Sequence, residues 1–105
     1  MSSVKITLIE PISLHEQVIK EVEIRQPTYK EYIRFGNPSI WSGSRDGGVF
    51  EVPNLDAIKG YLEACTAFPE PAALNLLSLA DSLRVVDVVQ GFFDQARLAM
   101  KTASA

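Results

Sequence analysis

Two short stretches near the N-terminus alternate apolar and polar residues. The first reads VKITLI from position 4, and the second reads EVEIR from position 21. A period of two is typical of a strand with one buried face, so each stretch predicts a short β-strand. Pro11 follows the first strand, and EPISLHEQ is too long for a tight two-residue turn, so we expect a hairpin with a broad, solvated tip. Because a lone hairpin is marginally stable in water, other elements must cover its Val and Ile face.

Helical signals follow the second strand. The sequence TYKE at residues 28–31 is a capping box, in which the Thr hydroxyl and the Glu carboxylate satisfy unpaired backbone N–H groups. A short helix is therefore expected from Tyr29 to just before Gly36. Its apolar residues are Tyr29, Tyr32, Ile33 and Phe35. The Gly- and Ser-rich segment 36–53 is then expected to be an irregular loop. The apolar residues that we expect to anchor it are Ile40, Trp41, Val49 and Phe50.

Two further elements are expected between residues 54 and 77. Asn54 is a favourable N-cap for a helix. The helix after it places four apolar residues at spacings of three and four: Leu55, Ile58, Leu62 and Cys65. It is expected to end before Pro69, and Pro71 can begin another short turn or helix through Leu77.

The last helix carries more apolar residues than one face requires. Ser78 and Asp81 form a capping-box variant that predicts its start. One apolar stripe, assigned to the core, comprises Leu79, Leu83, Val86, Val89, Phe93 and Ala96. An adjacent second face comprises Val85, Val88 and Phe92. Since a small domain needs one stripe for packing, we expect the second face to bind a partner; the alternative, that both faces are buried in the monomer, stays open.

Two other residues point to close contacts. Gly91 lies within the last helix, where it costs about 1 kcal/mol relative to Ala, which favours a second backbone approaching closely there. Trp41, in the expected loop, is a candidate partner anchor because aromatic residues dominate interface hot spots. The alternative is that Trp41 covers the edge of the core.

These elements predict an α+β fold with an N-terminal β-hairpin followed by a small bundle of three to four α-helices. The 105 residues are expected to form a single domain, residues 1–105, because this length supports one core, and a thin one. We also expect weak self-association, since the last helix exposes an apolar face.

Composition narrows the functional classes. Ten basic residues stand against thirteen acidic ones, so the chain lacks the positive charge expected of a protein that coats nucleic acid. The single cysteine, Cys65, cannot form an internal disulfide and favours a reducing, cytoplasmic setting. No apolar run approaches the length of a membrane span, so neither a membrane nor a nucleic-acid partner is expected.

Catalytic and metal-binding signals are weak. His15 is the only histidine and has no neighbouring cysteine to form a metal site. Asp56 and Glu63 fit a solvated helix face better than a pair of catalytic carboxylates, and GSRDGG lacks the strand, lysine and helix of a phosphate-binding loop. Arg25 is either a binding contact or the partner of a nearby glutamate. No enzyme activity, cofactor or metal is therefore expected.

Two blocks of the sequence carry recognisable patterns. In the first, a strand ends in an apolar-x-apolar-Arg-x-Pro pattern and opens a helix, here VEIRQPTYKE at residues 22–31. In the second, Phe68-Pro69 precedes a leucine-rich segment with an Ala-Asp pair, here LSLAD at residues 77–81, and a helix ending in aromatic residues. The helix residues of this pattern are Val85, Val89, Phe92 and Phe93. In this order, the two blocks resemble the tail assembly chaperone family of contractile-tailed bacteriophages and Mu-like prophages, and the resemblance covers residues 4–96.

The resemblance implies an interaction protein of the host bacterial cytoplasm. Such chaperones associate transiently with the helical, hydrophobic tape measure protein before tail tube protein polymerises around it, and they are absent from the finished virion. Two alternatives stay open. One is a small structural tail protein that remains in the particle. The other is a prophage-encoded helical regulatory protein, although the last helix mixes acidic and basic residues and is poorly suited to bind phosphates.

Overall fold

The structure, a computed structural model, describes residues 3–43 and 45–104 as an α+β fold. Its elements are, in chain order, β1 (Ser3–Leu14), β2 (Gln17–Arg25), α1 (Tyr29–Phe35), β3 (Ser39–Gly43), β4 (Val49–Pro53), α2 (Leu55–Cys65), β5 (Thr66–Phe68), a 3₁₀ helix (Pro71–Leu76) and α3 (Leu79–Ser104). The N-terminal hairpin and the α+β class are confirmed. The helices do not form a clear bundle, because α2 and α3 pack on a sheet.

The core lies between the first sheet and the helices. The antiparallel strands of this sheet are ordered β1-β2-β5, and the sequence pattern did not reveal β5. Val22 and Ile24 of β2 are fully buried. Ile58, Leu62 and Cys65 of α2 lie in the same apolar cluster, as the helical spacing predicted. Tyr61, which that prediction did not include, is also fully buried there. Leu55, which was expected to share this face, is exposed.

The first hairpin ends in a tight turn, so the expected broad tip is wrong. β1 continues through Pro11 to Leu14, and the turn consists of His15 and Glu16, both with positive φ, as a two-residue type I′ turn requires. Of the residues that we assigned to the tip, Glu10 and Pro11 lie in a bulge, and residues 12–14 pair with β2. Between the pairs Thr7↔Glu21 and Ile12↔Ile19, β1 advances five residues while β2 advances two. Pro11 lies in this bulge, where its missing N–H removes no ladder hydrogen bond.

Segment 39–53 is a second antiparallel hairpin, so the expected irregular loop is wrong. Ser39 pairs with Pro53, and Ile40 pairs with Val52. Cross-strand pairs of apolar side chains stabilise this short ladder, and Gly47 supplies a positive φ in the connection. The four expected anchors do not reach the core. All of them are exposed: Ile40, Trp41, Val49 and Phe50.

The helix starts agree with the capping signals. The Thr28 N–H donates to Glu31 Oε1 over 2.9 Å at the start of α1. The Ala57 N–H donates to Asn54 Oδ1 over 3.4 Å, and the Asp81 N–H donates to Ser78 Oγ over 3.2 Å. These contacts confirm the predicted starts of all three helices.

The assignment of faces on α3 is partly wrong. Val85 and Phe92 of the expected partner face are buried, and Val88 is half-buried against the core. Leu79 and Leu83 of the expected core stripe are exposed, by 77% and 58%. The Val85 side of α3 faces the core because the buried carboxylate of Asp81, one turn before Val85, binds to β1. No other part of the described chain makes the close approach expected at Gly91. Apart from its chain neighbours and the nearby backbone of its own helix, no heavy atom lies within 4 Å of where a Cβ would stand.

Candidate partner-binding surface

Asp81 attaches α3 to the bulge of β1. Its carboxylate accepts hydrogen bonds from the Ile9 N–H at 3.0 Å and the Glu10 N–H at 3.1 Å, two groups that the bulge removes from the β1–β2 ladder. Arg84 Nη1 and the Ser78 hydroxyl also donate to it, at 2.9 and 3.2 Å. The Ile9 N–H, and then the other donors, hold the pKa of Asp81 below its usual value despite burial. The position of α3 therefore depends on this carboxylate.

Arg25 attaches α1 to the sheet. Its Nη1 donates to Glu31 Oε1 over 2.9 Å, and its Nη2 donates to the Ala64 carbonyl over 3.2 Å. Glu31 is buried, and the Arg25 hydrogen bond, followed by the Thr28 N–H, lowers the pKa of its carboxyl to about 2. Of the two roles left open for Arg25, pairing with a glutamate is thus confirmed.

This ion pair predicts acid sensitivity. The folded-state pKa of Glu31 lies below its ordinary value of 4.5, so its ionisation favours the folded state above pH 4.5. That stabilisation is lost as the pH falls from 4.5 towards about 2, and Asp81 acts in the same direction.

We expect the free energy of unfolding, measured with urea, to fall across this window. The fall should be shallower in Glu31→Gln and unchanged in a control, Glu63→Gln, at an exposed position. Equal slopes in all three proteins would refute the assignment.

An aromatic cluster joins the three helices. The Phe35 and Tyr61 rings are 5.3 Å apart, and the Tyr61 and Phe93 rings are 5.2 Å apart, both edge to face. Burial raises the pKa of Tyr61 to about 12, and its hydroxyl donates to the Gly36 carbonyl. Phe35 packs directly on α2 at a glycine, where a Cβ would collide with the ring. The cluster fixes α1 relative to the C-terminal half of α3.

The α1–α3 groove lies above this cluster. It has a volume of about 450 Å³, and the α3 residues that line it begin with Phe92 on its floor. Its apolar lining residues include Pro27, Tyr29, Tyr32, Phe93, Ala96 and Met100. Tyr29 is 78% exposed because the opposite side of this short helix carries the buried Glu31. The single charged residue of the lining is Arg97.

A second groove lies on the other side of α3, and we call it the hairpin–α3 groove. It measures about 350 Å³ and is lined by Ser39 and Glu51 of the second hairpin and by Gln90 of α3. It shares Phe93 and Arg97 with the α1–α3 groove. The two grooves therefore flank the C-terminal half of α3.

Of the four predicted partner-binding residues, one lines a groove and another lies on a hairpin face beside one. Phe92 lies on the floor of the α1–α3 groove. Trp41 pairs with Glu51 and therefore occupies the hairpin face that borders the hairpin–α3 groove, with 67% of its surface exposed. Val85 lies inside the core and Val88 at its margin. The partner-binding role of Val85, Val88, Phe92 and Trp41 stays a prediction.

Sequence reasoning missed the exposure of four apolar side chains of α3: Leu79, Leu83, Leu98 and Met100. For Leu98 and Met100 the sequence carried a signal, because the apolar residues of α3 continue beyond Ala96, where the assigned stripe ended.

The other candidate residues do not form a catalytic or metal-binding cluster in the part of the chain that the structure describes. His15 Nε2 lies 3.1 Å from Glu70 Oε1 on the surface, and Asp56 and Glu63 are exposed. In the part of the chain that the structure describes, no group of three or more His, Cys, Asp or Glu side chains could hold a metal ion. Among the same residues, no helix is both long and apolar enough to cross a membrane.

Comparison with known proteins identifies the family. Residues 5–94 match the model of the phage tail assembly chaperone proteins, E, or 41 or 14. This match covers most of the 105 residues, and the chain belongs to that family. The resemblance seen at residues 22–31 and 77–93 is thereby confirmed. The family is in general a family of chaperones rather than enzymes. No curated protein and no solved structure matches the chain.

Proposed function

We propose that this chain binds the tape measure protein transiently during phage tail morphogenesis, in the cytoplasm of the host bacterium. In this proposal it covers apolar helical segments of the tape measure protein until tail tube protein polymerises around them and displaces it. One observation carries the proposal: the apolar stripe of α3 that packs in the core continues along the helix into a part that is exposed.

The stripe runs along the side of α3 that faces the core. Val85, Val89 and Phe92, at spacings of four and three, are covered by the sheet and α2. Ala96 and Met100 follow at spacings of four and therefore lie on the same side of the helix, but both are exposed. An exposed apolar surface that continues a core stripe is suited to bind another protein. A helix laid into a groove of this kind is a common recognition mode.

The second hairpin adds to this surface. Both of its faces carry exposed apolar side chains, Trp41 on one and Ile40 on the other. An isolated two-stranded sheet is marginally stable in water, so contact with a partner would stabilise it. We therefore include Trp41, with Phe92 and Met100, in the proposed binding surface. Val85 would have to leave the core to contact a partner directly.

Co-expression with the tape measure protein of the same phage tests the proposal. The wild-type chain is expected to increase the soluble fraction of the tape measure protein and to co-purify with it. Trp41→Ser should reduce the co-purified amount, since an aromatic anchor at an interface contributes about 2 kcal/mol or more. Val18→Ser, at a comparably exposed apolar position of β2, is the matched control and should behave as wild type. A tape measure protein that stays insoluble with the wild-type chain would contradict the proposal.

Mass spectrometry of purified phage particles separates this function from its structural alternative. A chaperone is expected in infected cells and absent from finished particles. Detection of the chain in particles, at a copy number comparable to other tail proteins, would instead identify a structural tail protein.

A further inference from the structure

The chemistry of the α1–α3 groove specifies what it binds. We propose that it takes an amphipathic α-helix of the partner, with large apolar residues on one face and carboxylates beside that face. This inference rests on the proposed function, because it identifies the kind of tape measure segment that would be held. Three of the residues that line the groove, Ala96, Arg97 and Met100, lie after position 94, where the family match ends.

The dimensions of the groove fit a helix. Its α3 wall runs from Phe92 to Met100, and the eight steps between these two residues rise about 12 Å, which is the length of roughly two turns of a bound helix. Ala96 keeps this wall shallow in the middle, so an apolar side chain of the partner can approach the α3 backbone there. Tyr29 and Tyr32 form the opposite wall with large, rigid side chains. Two apolar residues one turn apart on the partner would fill this space.

The charge at the groove favours an acidic partner. Arg97 is the only charged residue that lines it, and its Nη2 donates a hydrogen bond to Asn37 Oδ1 over 3.2 Å. A guanidinium carries five N–H donors, so others can reach a ligand. Over residues 3–43 and 45–104, no carboxylate lies within ion-pair distance of Arg97. The remaining polar lining residues are Gln26 and Thr28, neither of which is charged. An arginine without a carboxylate partner at an apolar groove is suited to a carboxylate beside the bound apolar face.

Two synthetic 18-residue helical peptides test the proposal with the full chain. Both carry Leu at positions i, i+4, i+7 and i+11, and they differ only at the flanking positions, which are Glu in one and Lys in the other. Binding is measured by isothermal titration calorimetry. We expect the Glu peptide to bind at least about tenfold more tightly than the Lys peptide, a difference equal to about 1.4 kcal/mol.

Three variants locate the binding site. Arg97→Glu should reverse the preference between the two peptides. Met100→Gln should weaken binding of the Glu peptide about tenfold. Leu98→Gln is the matched control, because Leu98 and Met100 are both 65% exposed on the same helix, but Leu98 is not part of the groove lining. Circular dichroism checks that all three variants fold.

Several outcomes would overturn the proposal. Equal affinities for the two peptides, no binding of either, or equal effects of Leu98→Gln and Met100→Gln would each do so. A wild-type dimer that Met100→Gln converts to a monomer would show that a second copy fills the groove. The co-expression assay separates the two proposals. If Arg97→Glu and Met100→Gln bind the tape measure protein as well as the wild-type chain does, the groove is not the binding site, but the proposed function stands.

Discussion

Asp81→Ala is expected to lower the thermal midpoint by about 10 °C or more, because it leaves two backbone N–H groups of the β1 bulge without their acceptor. The same change removes the ion-pair partner of Arg84, which keeps only its hydrogen bond to the Thr7 carbonyl. Thermal unfolding followed by circular dichroism measures the loss. Hydrogen exchange adds a local readout, since the amides of Ile9 and Glu10 should exchange much faster than in the wild-type protein.

A matched control separates this effect from a general effect of charge. Asp87 lies on α3 six residues after Asp81 but is exposed, so Asp87→Ala should change the midpoint by only a few degrees. A midpoint for Asp81→Ala close to that of Asp87→Ala would contradict the role assigned to the buried carboxylate.

The double replacement Val22→Asp and Ile24→Asp is expected to unfold the domain. Both side chains are fully buried in the central strand of the first sheet. Each contributes roughly 1.5 to 3 kcal/mol of burial, against a total stability of about 5 to 15 kcal/mol, and each aspartate adds the cost of a buried charge. Far-ultraviolet circular dichroism and a proton spectrum with collapsed amide dispersion would report the unfolded chain.

The control for this prediction lies on the same strand. Val18 is 65% exposed, so Val18→Asp should leave the fold and its midpoint almost unchanged. A folded double mutant would show that the first sheet does not hold the core together.

The parts of the fold that were predictable from sequence depend on local chemistry. Thr28, Asn54 and Ser78 mark helix starts because each supplies a side-chain oxygen to nearby backbone N–H groups, which requires only neighbours in sequence. The strand around Val22 and Ile24 was predictable for a similar reason, since alternating apolar and polar residues indicate a strand with one buried face.

The parts that were not predictable depend on contacts between distant residues. His15 and Glu16 form a tight turn although neither is a residue typical of type I′ turns, because the pairing of Ile12 with Ile19 closes the chain there. In the second hairpin, the glycines and serines concealed an apolar ladder such as Ile40↔Val52.

The orientation of α3 could not be read from its apolar residues alone. The sequence offered two apolar stripes on α3. The choice between them is made by Asp81, which sequence reasoning places only in the first turn of the helix. Its burial depends on N–H groups 71 and 72 residues away in sequence. One residue of the predicted partner surface, Val85, therefore lies in the core instead.

Hydrogen exchange of the complex with the tape measure protein tests the central claim most directly. If the C-terminal half of α3 and its two grooves hold the partner, amides in residues 29–35 and 92–103 should become protected on binding, with a smaller effect in 39–53. Residues 14–19, at the tip of the first hairpin, should exchange as in the free chain. Protection confined to the first hairpin tip or to α2, with none in 92–103, would contradict the account.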